Sequence, residues 1–174
     1  MSNSFEIYQG EWTYITDKDN IQILATSNVA QCTVFCGKAS NGFSFMFHFD
    51  IPSKQRIETL QVFKEKLLEN VPKGSEIRYQ LTGGWKCLWA PKVRDEINQF
   101  MSNIELYKLK EVSHKFTDES EKFSERGWTK GVSFNLTSEE IGFYPKKAKI
   151  KRWRPLRAWL PFFQMPLARP KENA

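Results

Sequence analysis

Apolar and polar positions alternate with a period of two over much of the first fifty residues, the pattern of strands with one face turned to a core. "FEIYQ" and "EWTYIT" are short runs rich in β-branched and aromatic residues, and "DKDN" between Thr16 and Ile21 is a turn by composition. "IQILAT" is a further strand. "QCTVFC" sets Cys32, Val34 and Cys36 on one face and Thr33 and Phe35 on the other, and "KASNG" turns the chain after it. In "FSFMFHF" Phe43, Phe45, Phe47 and Phe49 share one face, while Ser44, Met46, His48 and Asp50 share the opposite, more polar one.

The period then changes. Pro52 and Ser53 stop the strand, Ser53 being a candidate N-cap, and Ile57, Leu60, Leu67, Leu68 and Val71 recur at helical spacing with Val62 and Phe63 filling the stripe. "SEIRYQL" returns to strand and leads into the pair Gly83 and Gly84. Val93, Ile97, Phe100, Met101 and Ile104 predict a second helix, after which "LKEVSHKF" and "TKGVSFNLTSEEIGFYP" read as strands, the latter a hairpin around "TSEE". Strands clustered before the first helix and after the second imply a mixed α+β fold rather than simple βαβ winding. Two helices cannot cover all that sheet, so strands should also pack on strands.

Composition adds a boundary. The 174 residues, 40% hydrophobic and with fourteen phenylalanines, suit one domain with a substantial core. Nine of the 26 basic residues and one of the 20 acidic ones fall in 146–174, so the net charge of +6 belongs to that segment; the rest holds seventeen basic against nineteen acidic residues. We therefore expect a near-neutral domain over 1–145 and a basic, aromatic, Pro-rich arm over 146–174. The arm carries Trp153, Trp159, Phe162 and Phe163, and Pro155, Pro161, Pro166 and Pro170 exclude one long amphipathic helix. It is expected to dock on the domain through its aromatics, with contact to a membrane or an acidic partner as the competing role. Nucleic acid is the weakest fit, because the neutral domain offers no groove to continue such a site. No apolar run approaches eighteen residues and the N-terminus has no secretory pattern, so the expected location is cytoplasmic.

The candidate chemistry rests on scarce residues: three cysteines and two histidines. Cys32 and His48 are a nucleophile and its base joined by a hairpin, or two packing residues, and their spacing alone leaves both readings open. Cys36 reads as a core thiol. Cys32, Cys36, His48 and Cys87 would formally make a Cys₃His zinc set, but no CxxC pair supports one. His114 reads as a surface strand residue.

Several landmarks occur in an order that resembles the chemoreceptor glutamine deamidases of the CheD type, which share a catalytic layout with the deamidase domains of cytotoxic necrotizing factor toxins. They are "GEW" at Gly10 to Trp12, "ILAT" ending at Thr26, Cys32 six residues later, "FMFHFDIP" with His48, and "QLTGG" ending at Gly84. The resemblance spans roughly Gly10 to Tyr144, and departs in having "SNVAQ" where the family has a glycine-rich stretch ending in Gly-Ser before the cysteine, and in lacking the family's acidic residue beyond it. It implies a layered α/β/β/α sandwich with mixed sheets, no metal and no organic cofactor. It also implies a catalytic Cys32, His48 and Thr26 that hydrolyse the side-chain amide of a protein glutamine, on a chemoreceptor or another protein. The alternative is a non-catalytic binding module of the same fold whose basic tail engages a membrane or an acidic partner.

Overall fold

A computed structural model describes residues 3–29, 32–50, 53–84, 88–112, 130–144 and 165–170. The described elements are β1 (Ser4–Ile7), β2 (Trp12–Ile15), β3 (Ile23–Val29), β4 (Thr33–Ala39), β5 (Ser44–Phe49), α1 (Ser53–Asn70), β6 (Glu76–Gly83), α2 (Ala90–Ser102), β7 (Lys108–Glu111), β8 (Lys130–Asn135) and β9 (Ile141–Phe143). They form two mixed sheets, ordered β1-β3-β8-β9 and β2-β5-β4-β6-β7. Each contains one parallel pair, β1 with β3 and β6 with β7, among antiparallel ones. The α+β reading and the packing of strand on strand are borne out.

Period-two alternation explains the layering. The phenylalanine face of β5, with Phe43 before it, joins Phe35, Leu81, Leu60, Phe63, Leu67, Ile97 and Met101 in a core between the five-stranded sheet and the two helices. Phe63 stands at the centre, edge-on to Phe35 at 6.1 Å and to Phe47 at 5.1 Å. The opposite faces of β4 and β5 send Val34, Cys36 and Met46 to a second core with Ile7, Leu24, Val29, Val132 and Phe134 from the four-stranded sheet. Among the described residues this gives three layers: helices, five-stranded sheet, four-stranded sheet. A second helical layer is not among them.

The expected stripe on α1 is corrected in two places. Ile57 and Leu68 are 49% and 45% exposed, while Gln55, Arg56 and Thr59 are buried. Two of these polar side chains meet partners there: Arg56 pairs with Glu96 of α2 at 2.8 Å, and Thr59 Oγ1 donates to the Gln55 carbonyl at 2.7 Å. On α2, Ile97 and Met101 are buried and Val93 and Phe100 pack partly against the same core. The β8–β9 hairpin forms as read, its turn started by Asn135 Oδ1 accepting the N–H groups of Thr137 and Ser138. His114, Cys87, Trp153, Trp159, Phe162 and Phe163 lie outside the described residues.

Part of the arm belongs to the domain. Leu167 bridges to Trp12 in parallel, the Trp12 N–H donates to the Pro166 carbonyl at 3.2 Å, and the Ala168 N–H donates to the Trp12 carbonyl at 2.8 Å. This segment covers the open edge of β2, which would otherwise present unpaired backbone groups. Met165 is buried in the helix-side core and its N–H donates to Thr59 Oγ1 at 2.9 Å, while Arg169 stacks 4.3 Å over the Tyr14 ring and pairs with Asp19. Docking over 165–170 therefore runs through backbone pairing, Met165 and Arg169. Replacing Ala168 with proline deletes the N–H that satisfies the buried Trp12 carbonyl. We expect this to lower unfolding free energy by about 1–3 kcal/mol in urea titration.

Candidate active site

His48 is held by its backbone before its side chain does anything. The N–H of His48 donates to the Glu11 carbonyl and its carbonyl accepts the Gly10 N–H, both at 3.0 Å. Glu11 itself closes a tight turn, donating its N–H to the Tyr8 carbonyl and accepting the Tyr8 N–H on its carboxylate, each at 3.0 Å. "GEW" is thus the clamp on the histidine's main chain, with Trp12 paired to Phe47 in the next register position.

Strand parity turns the imidazole away from the phenylalanines and into the space between the sheets. There His48 Nδ1 lies 2.7 Å from Thr26 Oγ1. Thr26 sits on an inner strand of the other sheet, paired with Ile7 on one side and Val132 on the other, so its hydroxyl is fixed from both flanks. Both residues are fully buried. The face that reads as more polar in sequence is therefore an interior one, made tolerable by this hydrogen bond. Burial also pushes the imidazole pKa from the ordinary 6.5 down to about 3, so His48 is neutral at physiological pH. Its other nitrogen, Nε2, is buried and makes no hydrogen bond.

Cys32 lies on the neighbouring strand's approach. Val34 of β4 is directly opposite His48, and Cys32 comes two residues before it, just ahead of the last paired position, Thr33 with Phe49. It sits at a bend just ahead of β4 and is partly accessible. Its carbonyl accepts the Gly84 N–H at 2.7 Å, and a Cβ on Gly83 would meet that same oxygen at 2.3 Å. Gly83 and Gly84 have φ of +85° and +69°, a backbone that side chains resist. The double glycine is thus a close backbone approach that seats the Cys32 turn. Cys36, by contrast, is wholly buried in the inter-sheet core, where desolvation drives its thiol pKa far upward, matching its reading as a core thiol.

The structure brings Thr26 and His48 into contact and puts Cys32 at the bend that leads into β4, the strand paired with that of His48. It revises one boundary: Ser27 to Val29 of "SNVAQ" continue β3, with the register shifting between Thr26 and Val29, and Ser27 Oγ donates to Glu6 Oε1. This irregularity falls on the strand that carries Thr26. A residue not singled out in the sequence is Thr82, which is fully buried with no hydrogen-bond partner for its hydroxyl. The available signal was the alternation of "IRYQL" into "TGG", which puts Gln80 and Thr82 on the face opposite Ile77, Tyr79 and Leu81. Among the described residues no three His, Cys, Asp or Glu side chains gather as metal ligands, and no helix is long and apolar enough to cross a membrane. No family model and no curated protein matches the chain.

Two outcomes follow from this geometry. Gly83→Ala must hold a left-handed backbone and push a methyl against the Cys32 carbonyl, so it should cost at least about 1–2 kcal/mol in denaturant titration. The depressed His48 pKa carries a sign: between about 3 and 6.5 the unfolded chain takes up a proton that the folded site refuses. Stability should therefore fall as pH drops below 6.5, with a His48 contribution of up to about 1.4 kcal/mol per pH unit. Parallel urea titrations of wild type and His48→Gln between pH 7 and about 4.5 should show a shallower slope for the variant.

Proposed function

We propose that the chain is a CheD-like cysteine hydrolase that deamidates a glutamine on a protein substrate. The observation that carries this reading is the buried Thr26–His48 hydrogen bond, which leaves Nε2 without a partner on the strand paired with β4, the strand that the partly exposed Cys32 leads into. A histidine kept only for packing would more simply satisfy both nitrogens. With Nδ1–H donating to Thr26 Oγ1, Nε2 holds the lone pair that a base requires.

In this mechanism Nε2 takes the Cys32 thiol proton, and the sulfur attacks the glutamine Cδ. The carbonyl π pair moves to oxygen. On collapse the imidazolium returns the proton to the amide nitrogen, ammonia leaves, and a thioester remains on Cys32. His48 then deprotonates a water that attacks the thioester, and the thiolate departs as a glutamate carboxylate forms. Thr26 fixes the imidazole tautomer and orientation throughout. The low basicity of the buried imidazole favours the neutral resting pair, and the charge separation is confined to the reacting complex.

The same reading includes the CheD type of layering, a cytoplasmic setting that keeps Cys32 reduced, and a substrate that is a chemoreceptor or another protein with an exposed glutamine. The basic stretch of 146–174 offers a contact for an acidic or membrane surface near that substrate. Incubating candidate proteins with the enzyme should add about one dalton to a glutamine by mass spectrometry, with Cys32→Ser inactive and His48→Asn slowed roughly 10²–10⁴-fold. The enzyme reading fails, in favour of a binding module, if no glutamine changes and Cys32 is no more reactive toward thiol reagents than Cys36 and Cys87.

A further inference from the structure

A third polar group faces the same inter-sheet space. Val34 is paired with His48 on one side and with Thr82 of β6 on the other, so the three side chains form one row across β5, β4 and β6. Residues directly opposite share a face, and Gln80, two positions earlier, confirms it by donating from Nε2 to the Glu139 carbonyl in the β8–β9 turn. Thr82 is fully buried and its hydroxyl has no hydrogen-bond partner. Thr33 Oγ1 is likewise unpartnered, but it lies on the opposite face, in register with Phe49 and Gly83. Valine would fill the Thr82 site without leaving a buried hydroxyl unsatisfied, so packing gives no reason for threonine here.

Cys32 stands at the bend two residues before Val34, where the chain enters β4, and β4 runs between β5 with His48 and β6 with Thr82, which are two strand spacings or roughly 9–10 Å apart. A carboxamide carbon at the sulfur has its nitrogen turned to His48, because that nitrogen must receive the proton from Nε2. Its oxygen then points the other way, toward β6. We propose that Thr82 is a catalytic residue whose hydroxyl donates a hydrogen bond to the carboxamide oxygen as it becomes an oxyanion. Sulfur donates a lone pair to carbon, the π pair moves to oxygen, and the Thr82 O–H bond stays intact while stabilising that charge. A side-chain donor from β6 would supply part of what the glycine-free "SNVAQ" segment has to provide.

This inference rests on the deamidase reading, and the test separates the two. Cys32 acylation by p-nitrophenyl acetate passes through an oxyanion, whereas its alkylation by iodoacetamide is a direct displacement that forms none. Both rates are measured in wild type, Thr82→Val and Thr82→Ser, with Cys32→Ser as background and thermal melting as the check on folding. Thr82→Val should melt no lower than wild type and acylate about 10²-fold more slowly, with alkylation changed less than about twofold; Thr82→Ser should retain acylation. If Thr82→Val slows both reactions alike or neither, or if Thr82→Ser fails as Thr82→Val does, the role of Thr82 is overturned while an activated Cys32 still supports the deamidase. If wild-type Cys32 reacts no faster than Cys36 and Cys87 with either reagent, both readings fall together.

Discussion

One hydrogen bond between the two sheets, Thr26 Oγ1 to His48 Nδ1, sets the terms for the rest of this molecule. The surrounding inter-sheet core is built from Ile, Leu, Val, Met and Phe side chains, where a polar group without a partner is costly. An imidazole in that core is acceptable only if it is neutral and at least one nitrogen is satisfied. The four-stranded sheet meets that requirement by presenting Thr26 from an inner strand. The relative placement of the sheets is therefore tied to the orientation of His48, and a shift of one would misalign the other.

The elements around this bond hold backbone rather than side chains. Gly10 and Glu11 grip both main-chain groups of His48, and Trp12 is gripped in turn by Pro166 and Ala168 from a segment more than 150 residues away in sequence. β2 is thus paired on both edges, which links the end of the described chain to the histidine through two layers of ladder bonds. On the other side of β4, Gly83 and Gly84 let β6 approach the Cys32 turn closely enough to bond its carbonyl. The backbones of Cys32 and His48 are thus each held by main-chain hydrogen bonds from neighbouring segments.

Much of this was legible in the chain itself. The period-two parity of "FSFMFHF" separated the phenylalanines from His48 correctly, because strand faces follow from backbone geometry alone. Thr26, Cys32 and His48 were named as a set, and two of them touch. The pair Gly83 and Gly84 at the end of its strand was visible too, but that it meets the Cys32 carbonyl is a tertiary fact. Less accessible was the depth of burial. "More polar" described the His48 face in composition, yet it is an interior face, because whether a second sheet covers it depends on contacts far apart in sequence. The exposure of Ile57 and Leu68 is of the same kind: helical spacing admits a broad stripe, and only the positions of α2 and the arm decide that Arg56 and Thr59 belong inside it.

The sequence by itself determined the local elements and the faces of each strand, since these follow from steric preferences and residue periodicity within a few positions. It also determined which rare residues were available for chemistry. Only the tertiary structure decided which faces became interior, that Thr26 and Thr82 reach the inter-sheet space of His48 from two different strands, and that part of a basic tail would complete a sheet edge. Those outcomes depend on strand order and register, and a sheet's order is set by the summed packing of segments that no local pattern records.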